Sequence, residues 1–223
     1  MMRHMTPGTE VTEAERPLRA DAARNRQLIL DTAAEVFAEH GLDAGYDEIA
    51  RRAGIGVGTV YRRFPERSEL VQALFETRVA EIVAAAEKAA ANPDAFAGLV
   101  WFLGWAVEQQ VADRGLKEAM AQLPPEDLRA IGVERLAPFV DALVERAQAD
   151  GSLRPDIAFS DLGLQLMVLS SMSTSAQPDL WRRYLALLVE GLRYRPGQPP
   201  LPLCPPRDDA KYDLMCNMQG RPA

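Results

Sequence analysis

Apolar side chains at Leu30, Ala33, Ala34, Phe37 and Ala38 fall on one helical face, and Gly41 stands where that helix must stop, so the pattern predicts a first helix from about Asp21 to His40. A short second helix follows over Tyr46 to Ala53, ended by Gly54, and a third over Val57 to Phe64, stopped by Pro65. A long fourth helix is expected from Arg67 to Ala91. Asn92-Pro93 then offers a cap and a first-turn proline for a helix reaching Ala112. A short helix is expected near Leu116 to Ala121. Pro124-Pro125 breaks the chain and starts a segment running to Ala149, which Pro138 should kink or split and Asp150-Gly151 closes. Two final helices are expected over Ser160 to Thr174 and Pro178 to Tyr194. No alternating strand pattern of useful length occurs, and Ala and Leu dominate the periodic segments, so the fold class is all-α. Beyond Arg195 the stretch RPGQPPLPLCPPR reads as extended or disordered, and no internal repeat is present.

Two short helices around a tight turn at Gly54 have the layout of a helix-turn-helix, whose second helix enters the DNA major groove. Its core would come from Ile49, Ala50 and Ala53 meeting Val60 and Phe64, closed by Phe37, Leu42 and Ile55. Val57, Gly58, Thr59, Tyr61, Arg62 and Arg63 are then outward by default. Small residues at the helix start allow close backbone approach. The Thr59 and Tyr61 hydroxyls suit phosphate oxygens, and Arg62 and Arg63 suit phosphate or a guanine edge. By spacing alone, a three-helix subdomain with a solvated arginine face fits equally well.

Charge changes the picture. The net charge of −7 argues against a polyanionic partner, but it is unevenly spread. Residues 16 to 67 hold nine Arg against eight acids, whereas residues 68 to 223 hold 15 basic and 21 acidic side chains. A neutral-to-basic head on an acidic body suits a protein that meets DNA with one end. Hydrophobic residues at 48% and charged residues at 26% are the balance of a soluble globular protein. The two cysteines, Cys204 and Cys216, lie in the tail and form no disulfide framework, which suits a cytoplasmic location. No apolar run is long enough to span a membrane, and the leader MMRHMTPGTEVTEAE lacks a signal-peptide core. His4 and His40 belong to no metal or triad pattern, and no phosphate loop or reactive-cysteine setting appears. No enzyme, metal or cofactor is therefore expected, although a helical enzyme using Asp or Glu stands as the rival class.

These residues resemble a family. ILDTAAEVFAEHG at Ile29 to Gly41, IARRAG at Ile49 to Gly54 and GTVYRRF at Gly58 to Phe64 are similar to the tetracycline-repressor (TetR) family pattern. RAQADGSLRPDI at Arg146 to Ile157 resembles that family's C-terminal half. The resemblance implies a transcriptional regulator, a repressor by family habit with activator as the alternative. It would bind palindromic operator DNA as a homodimer and answer to an unknown small molecule. The implied DNA-binding residues are Val57, Gly58, Thr59, Tyr61, Arg62, Arg63 and Arg67, with Arg67 gripping phosphate at the start of the fourth helix. The sequence departs from the pattern at Gly45, where Ser or Thr is usual, at Tyr46 in place of a smaller aliphatic residue, and at Asp47 and Glu66. Gly45 and Asp47 keep open a ligand-binding protein without DNA function.

Composition and the resemblance together divide the chain: a disordered leader at 1–18, a helix-turn-helix DNA-binding domain at 19–66, a helical body at 67–195 that the resemblance makes a ligand-binding and dimerisation domain, and a Pro-rich, disordered tail at 196–223. In the body, Phe96, Leu99, Val100, Leu103 and Val107 form a core stripe. Trp101, Phe102, Trp105, Met120, Phe139 and Met167 are candidate pocket residues, with packing between helices as the alternative. The last two helices are apolar on more than one face. Leu162, Leu166, Leu169, Trp181, Leu185 and Leu188 are therefore the candidate dimer interface, and the small residues Ser170, Ser171, Ser173 and Ser175 either permit close packing there or form a capping and loop region.

Overall fold

The computed structural model describes residues 15–112, 130–173 and 176–207, and all of its regular structure there is helical. The elements are α1 (Glu15–His40), α2 (Tyr46–Ala53), α3 (Val57–Arg63), α4 (Arg67–Ala90), α5 (Ala95–Ala112), a π-helical turn (Ile131–Leu136), α6 (Ala137–Ala149), α7 (Phe159–Ser171) and α8 (Leu180–Leu192). The helix expected at Leu116 to Ala121 lies outside the described residues. So do the leader before Glu15, His4, Met120, Ser175 and the tail from residue 208 onward, with Cys216.

α1 begins at Glu15, before the apolar stripe does, so residues 15–18 are helical rather than part of a disordered leader. Pro17 lies in the first turn, where a missing N–H breaks no intrahelical bond. Before α5, Asn92 and Pro93 precede the helix instead of opening it. The Asn92 Oδ1 accepts the Asp94 N–H at 3.0 Å, and the Asp94 carboxylate caps α5 by accepting the Ala97 N–H at 2.8 Å. Pro138 does split its segment. It cannot donate to a carbonyl in the preceding turn, and its ring crowds that turn, which widens into the π form before α6 starts at Ala137.

The apolar side chains gather into two main cores strung on α4. The head core joins α1, α2 and α3 through Ile29, Leu30, Phe37, Ile49, Val60 and Phe64, and it takes Leu70, Phe75 and Val79 from α4. The division at 66/67 therefore does not separate the cores, because the first half of α4 is part of the head. The body core takes Ala85, Ala86 and Ala89 from the second half of α4, and joins α5, α6 and α7 through Leu99, Leu103, Leu143 and Leu162. α4 and α5 cross closely at Gly98, whose missing Cβ would lie 2.6 Å from the Ala89 carbonyl oxygen.

The tail is placed at least to Arg207. The Arg154 guanidinium, buried at 8% exposure, pairs with Asp156 at 2.5 and 2.8 Å and donates to the Pro199 carbonyl at 3.2 Å. Asp156 in turn accepts the Leu201 N–H at 2.7 Å. Residues 196–207 are thus strapped to the body, not disordered as their composition suggests.

Candidate nucleic-acid interface

Gly54 makes the turn between α2 and α3. Its φ of +66° belongs to the left-handed region that favours glycine, and the Ile55 N–H returns to the Ala50 carbonyl at 3.1 Å, which closes the end of α2. α3 then rests on the head core through the fully buried Val60 and the C-terminal Phe64. Its opposite side carries Gly58, Tyr61, Arg62 and Arg63, all exposed, with Tyr61 at 56%. Arg62 donates to the Thr59 hydroxyl at 3.2 Å, and Arg63 has no protein partner among the described residues. Thr59 and Val57 are half-buried, and Val57 packs against the head core, so it is only partly outward.

Two acids of α1 and α2, Glu39 and Glu48, are paired with arginines. Arg51 chelates the Glu48 carboxylate at 2.9 and 2.6 Å, and Arg52 bridges from Glu48 at 2.9 Å to Glu39 of α1 at 2.9 and 2.5 Å. The hydrogen bonds from Arg51 and Arg52 hold the Glu48 carboxyl at about 2, and the Arg52 bond lowers that of Glu39. Asp47 stays exposed beside them.

Two residues, Tyr46, which departs from the family pattern, and Arg67, which fits it, turn out to be structural ties. Tyr46 is buried, and its hydroxyl lies 3.1 Å from the Phe64 carbonyl and 3.3 Å from that of Glu66, pinning the start of α2 to the α3–α4 turn. Its ring meets Tyr61 edge-on with centroids 4.9 Å apart. Arg67, expected to grip phosphate, donates to the Ala44 carbonyl at 2.8 Å and stacks its guanidinium 5.4 Å from the Phe37 ring centre. It holds the loop carrying Gly45, an uncapped N-terminus, against α4. Across the start of α4, Glu69 reaches back to the Glu66 N–H at 3.5 Å. Neither tie has a periodic signature; the only sequence clue to Tyr46 is a hydroxyl on an apolar position.

The body departs further from expectation. Leu162, Leu169 and Trp181, offered as interface residues, are at most 3% exposed inside the chain's own core. Leu166, Leu185 and Leu188 pack half-buried against the same clusters. The outward stripe of α8 is instead Tyr184, Leu187 and, just past its end, Tyr194, with Leu187 58% exposed. Ser170, Ser171 and Ser173 spend their hydroxyls on the carbonyls of Met167, Val168 and Pro178. Among the pocket candidates, Trp101 and Phe102 each stack on Trp105 at 6.5 Å, Lys88 sits 4.9 Å over the exposed Trp101 ring, and Phe139 packs half-buried against the body core. Met167 is half-buried on α7. None of them lines the cavity described below.

A head of one long and two short helices with an arginine-bearing third helix, on a helical body, has clear counterparts. A family model for bacterial regulatory proteins of the tetR family matches residues 29–74, and one for the C-terminal domain of SbtR-like transcriptional regulators matches residues 94–194. The solved TetR transcription regulatory protein from Mycobacterium vanbaalenii is 34% identical, with 79% of this chain and 99% of that chain covered and a TM-score of 0.62. The TetR transcriptional regulator SCO0520 from Streptomyces coelicolor is 30% identical over 76% of this chain and 98% of its own, with a TM-score of 0.59. The HTH-type transcriptional regulator TtgW of Pseudomonas putida is 45% identical over 60 residues, which are 26% of this chain and 45% of TtgW, so this chain spans less than half of that relative's length. These relatives are transcriptional regulators, not enzymes, and no helix among the described residues is long and apolar enough to cross a membrane. The chain belongs to the TetR family of DNA-binding, helix-turn-helix transcriptional regulators.

Proposed function

We propose that the chain is a one-component repressor that binds a palindromic operator as a homodimer in the cytoplasm and is released by a small molecule. The observation that carries this reading is the open face of α3, where Gly58, Tyr61, Arg62 and Arg63 stand together, with Glu39 and Glu48 already paired to Arg51 and Arg52. Arg63 takes phosphate, Tyr61 and Thr59 give hydroxyl contacts, and Val57 and Gly58 allow close approach to base edges. Arg67 acts mainly by fixing the loop at Gly45, with its remaining N–H groups available to phosphate. The reading units are a DNA-binding head at 19–66 completed by the first half of α4, and a ligand-binding and dimerising body up to residue 195.

Two copies would meet along the Tyr184, Leu187 and Tyr194 stripe, an apolar face on α8 that the chain itself leaves exposed. In such a dimer the two α3 helices would take successive major grooves. A ligand lowers operator affinity only as far as it prefers the unbound conformation, typically by about 1–3 kcal/mol.

The test is selection of bound duplexes from a random library, then titration at two salt concentrations with Tyr61→Ala and Arg63→Ala. A two-fold symmetric site is expected, with the Arg63 variant losing about one unit of salt slope. Leu187→Glu should give monomers by light scattering and lose the palindromic preference. No enriched duplex for the wild type refutes the reading and leaves a ligand-binding body without a DNA function.

A further inference from the structure

The N-terminal ends of α6 and α7 and tail residues Pro205, Pro206 and Arg207 converge on a cavity of about 500 Å³. Its apolar wall comes from Val133 of the π turn, Pro138, Phe159 and the tail prolines Pro205 and Pro206, and its polar groups are Asp141, Ser160 and Arg207. That volume lies within the range of small-molecule sites. Ser160 is the telling residue. It is only 5% exposed, yet its hydroxyl has no hydrogen-bond partner among the described residues. Buried hydroxyls without a partner are rare in folded proteins and are commonly satisfied by a bound group.

Ser160 also occupies the first turn of α7, where backbone N–H groups have no intrahelical acceptor and the helix dipole is positive. The N-cap, Ala158, has no side-chain acceptor to quench that end. Asp161 folds back onto the Ala158 N–H at 2.9 Å. Arg207 brings a guanidinium to the lining and Asp141 a carboxylate at the exposed side, each of them also making another contact. A donor hydroxyl, a helix N-terminus and a guanidinium suit one anionic oxygen pair. The prolines and Phe159 suit a hydrocarbon body.

We infer that this cavity binds a small monocarboxylate with an apolar aromatic or branched body. Its carboxylate accepts from Ser160 and Arg207, and its hydrocarbon lies against Val133, Phe159 and the tail prolines. This deepens the proposed function and rests on it for the regulatory consequence alone. The same π turn that lends Val133 to the cavity packs Ile131 against the head core and pairs Arg135 with Glu76 of α4 at 3.2 Å. A ligand seated there touches a segment already in contact with the head.

The test is calorimetric titration of the full chain with 3-phenylpropionate and 4-methylpentanoate, and with the amide and amine that replace the carboxylate of the first. At least one carboxylate should bind, with amide and amine at least about tenfold weaker, since a charge-assisted pair is lost. Ser160→Ala and Arg207→Gln should each weaken the carboxylate by about fivefold or more. Ser160→Ala should leave the thermal midpoint of the unliganded protein unchanged or raised, because no protein hydrogen bond is lost. Failure of both carboxylates to bind overturns the inference, as does equal binding of amide or amine, or carboxylate affinity unmoved by both substitutions. Operator selection without carboxylate is run beside it. A selected operator with no carboxylate binding overturns the cavity assignment and leaves the regulator, whereas carboxylate binding with no operator supports the cavity and refutes the proposed function.

Discussion

Tyr46→Phe removes one oxygen from the head and nothing else. The ring stays buried and keeps its edge contact with Tyr61 at 4.9 Å. Lost is the donor that lies 3.1 Å from the Phe64 carbonyl and 3.3 Å from the Glu66 carbonyl. Glu66 is exposed, so water replaces the donor there, but Phe64 is 4% exposed and its carbonyl faces an emptied position. A net hydrogen bond contributes about 0.5–1.5 kcal/mol, and a buried acceptor left unpaired costs about 1–3 kcal/mol, so a loss of about 1–3 kcal/mol is expected. Tyr46→Leu should cost about 0.5–1.5 kcal/mol more, because the aromatic pair goes too. The assay is urea unfolding followed by circular dichroism for the three proteins. Alkaline pH supplies an independent check. Burial is the main cause that pushes the Tyr46 phenol above its ordinary value of 10.0. A raised folded value means that the contribution is whole below the ordinary pKa and is lost as pH rises through the folded one. The gap between wild type and Tyr46→Phe should therefore shrink above pH 10.0. Equal urea midpoints at neutral pH, or a gap that does not narrow at alkaline pH, would refute the reasoning.

Three other perturbations have defined outcomes. Gly98→Ala places a methyl 2.6 Å from the Ala89 carbonyl oxygen and 3.1 Å from Leu143, and should cost about 1–3 kcal/mol in urea unfolding as α4 and α5 are forced apart. Gly54→Ala puts a side chain at φ +66° and should lower stability by about 1–2 kcal/mol, with operator affinity falling because α3 is re-aimed. Asp156→Asn should expose the Leu201 amide, donated at 2.7 Å, to faster hydrogen exchange. In the wild type the Arg154 hydrogen bond, then the Leu201 N–H, hold the Asp156 carboxyl at about 2. Because that value is depressed, the clasp is whole above the ordinary carboxylate range and is lost as pH falls toward about 2, which the Leu201 amide shift should report in an NMR titration.

The helix-turn-helix was legible because its boundaries are chemical. Gly54 and Pro65 end helices wherever they occur in such a pattern, and Ile49, Val60 and Phe64 leave one way to pack. What stayed hidden are contacts without a period. The Tyr46 hydroxyl reaches carbonyls 18 and 20 residues on, and Arg67 reaches back 23 residues to Ala44. Periodicity also shows that α8 is apolar on two sides without showing which side turns inward. Trp181 and Leu192 went to the core and Tyr184 and Leu187 to the surface, while Leu185 and Leu188 of the expected interface are half-buried. Trp101, Phe102 and Trp105 satisfied one another by stacking rather than lining the cavity. Composition marked the tail as unstructured because its partners, Arg154 and Asp156, lie about 45 residues away in the chain.

The clasp between the body and the tail grips backbone atoms, the Pro199 carbonyl and the Leu201 N–H. Such a grip is indifferent to which side chains the tail carries and sensitive to how many residues it spans. Substitutions between Arg195 and Leu201, other than at Gly197 with its φ of +79°, should be absorbed as long as Pro199 and Leu201 keep their spacing. A single inserted residue would present the wrong backbone groups to a carboxylate and a guanidinium that cannot follow. A fusion partner joined after Arg207 leaves the clasp whole. One joined at Arg195 strips Arg154, a buried cation, of one acceptor and Asp156 of one donor.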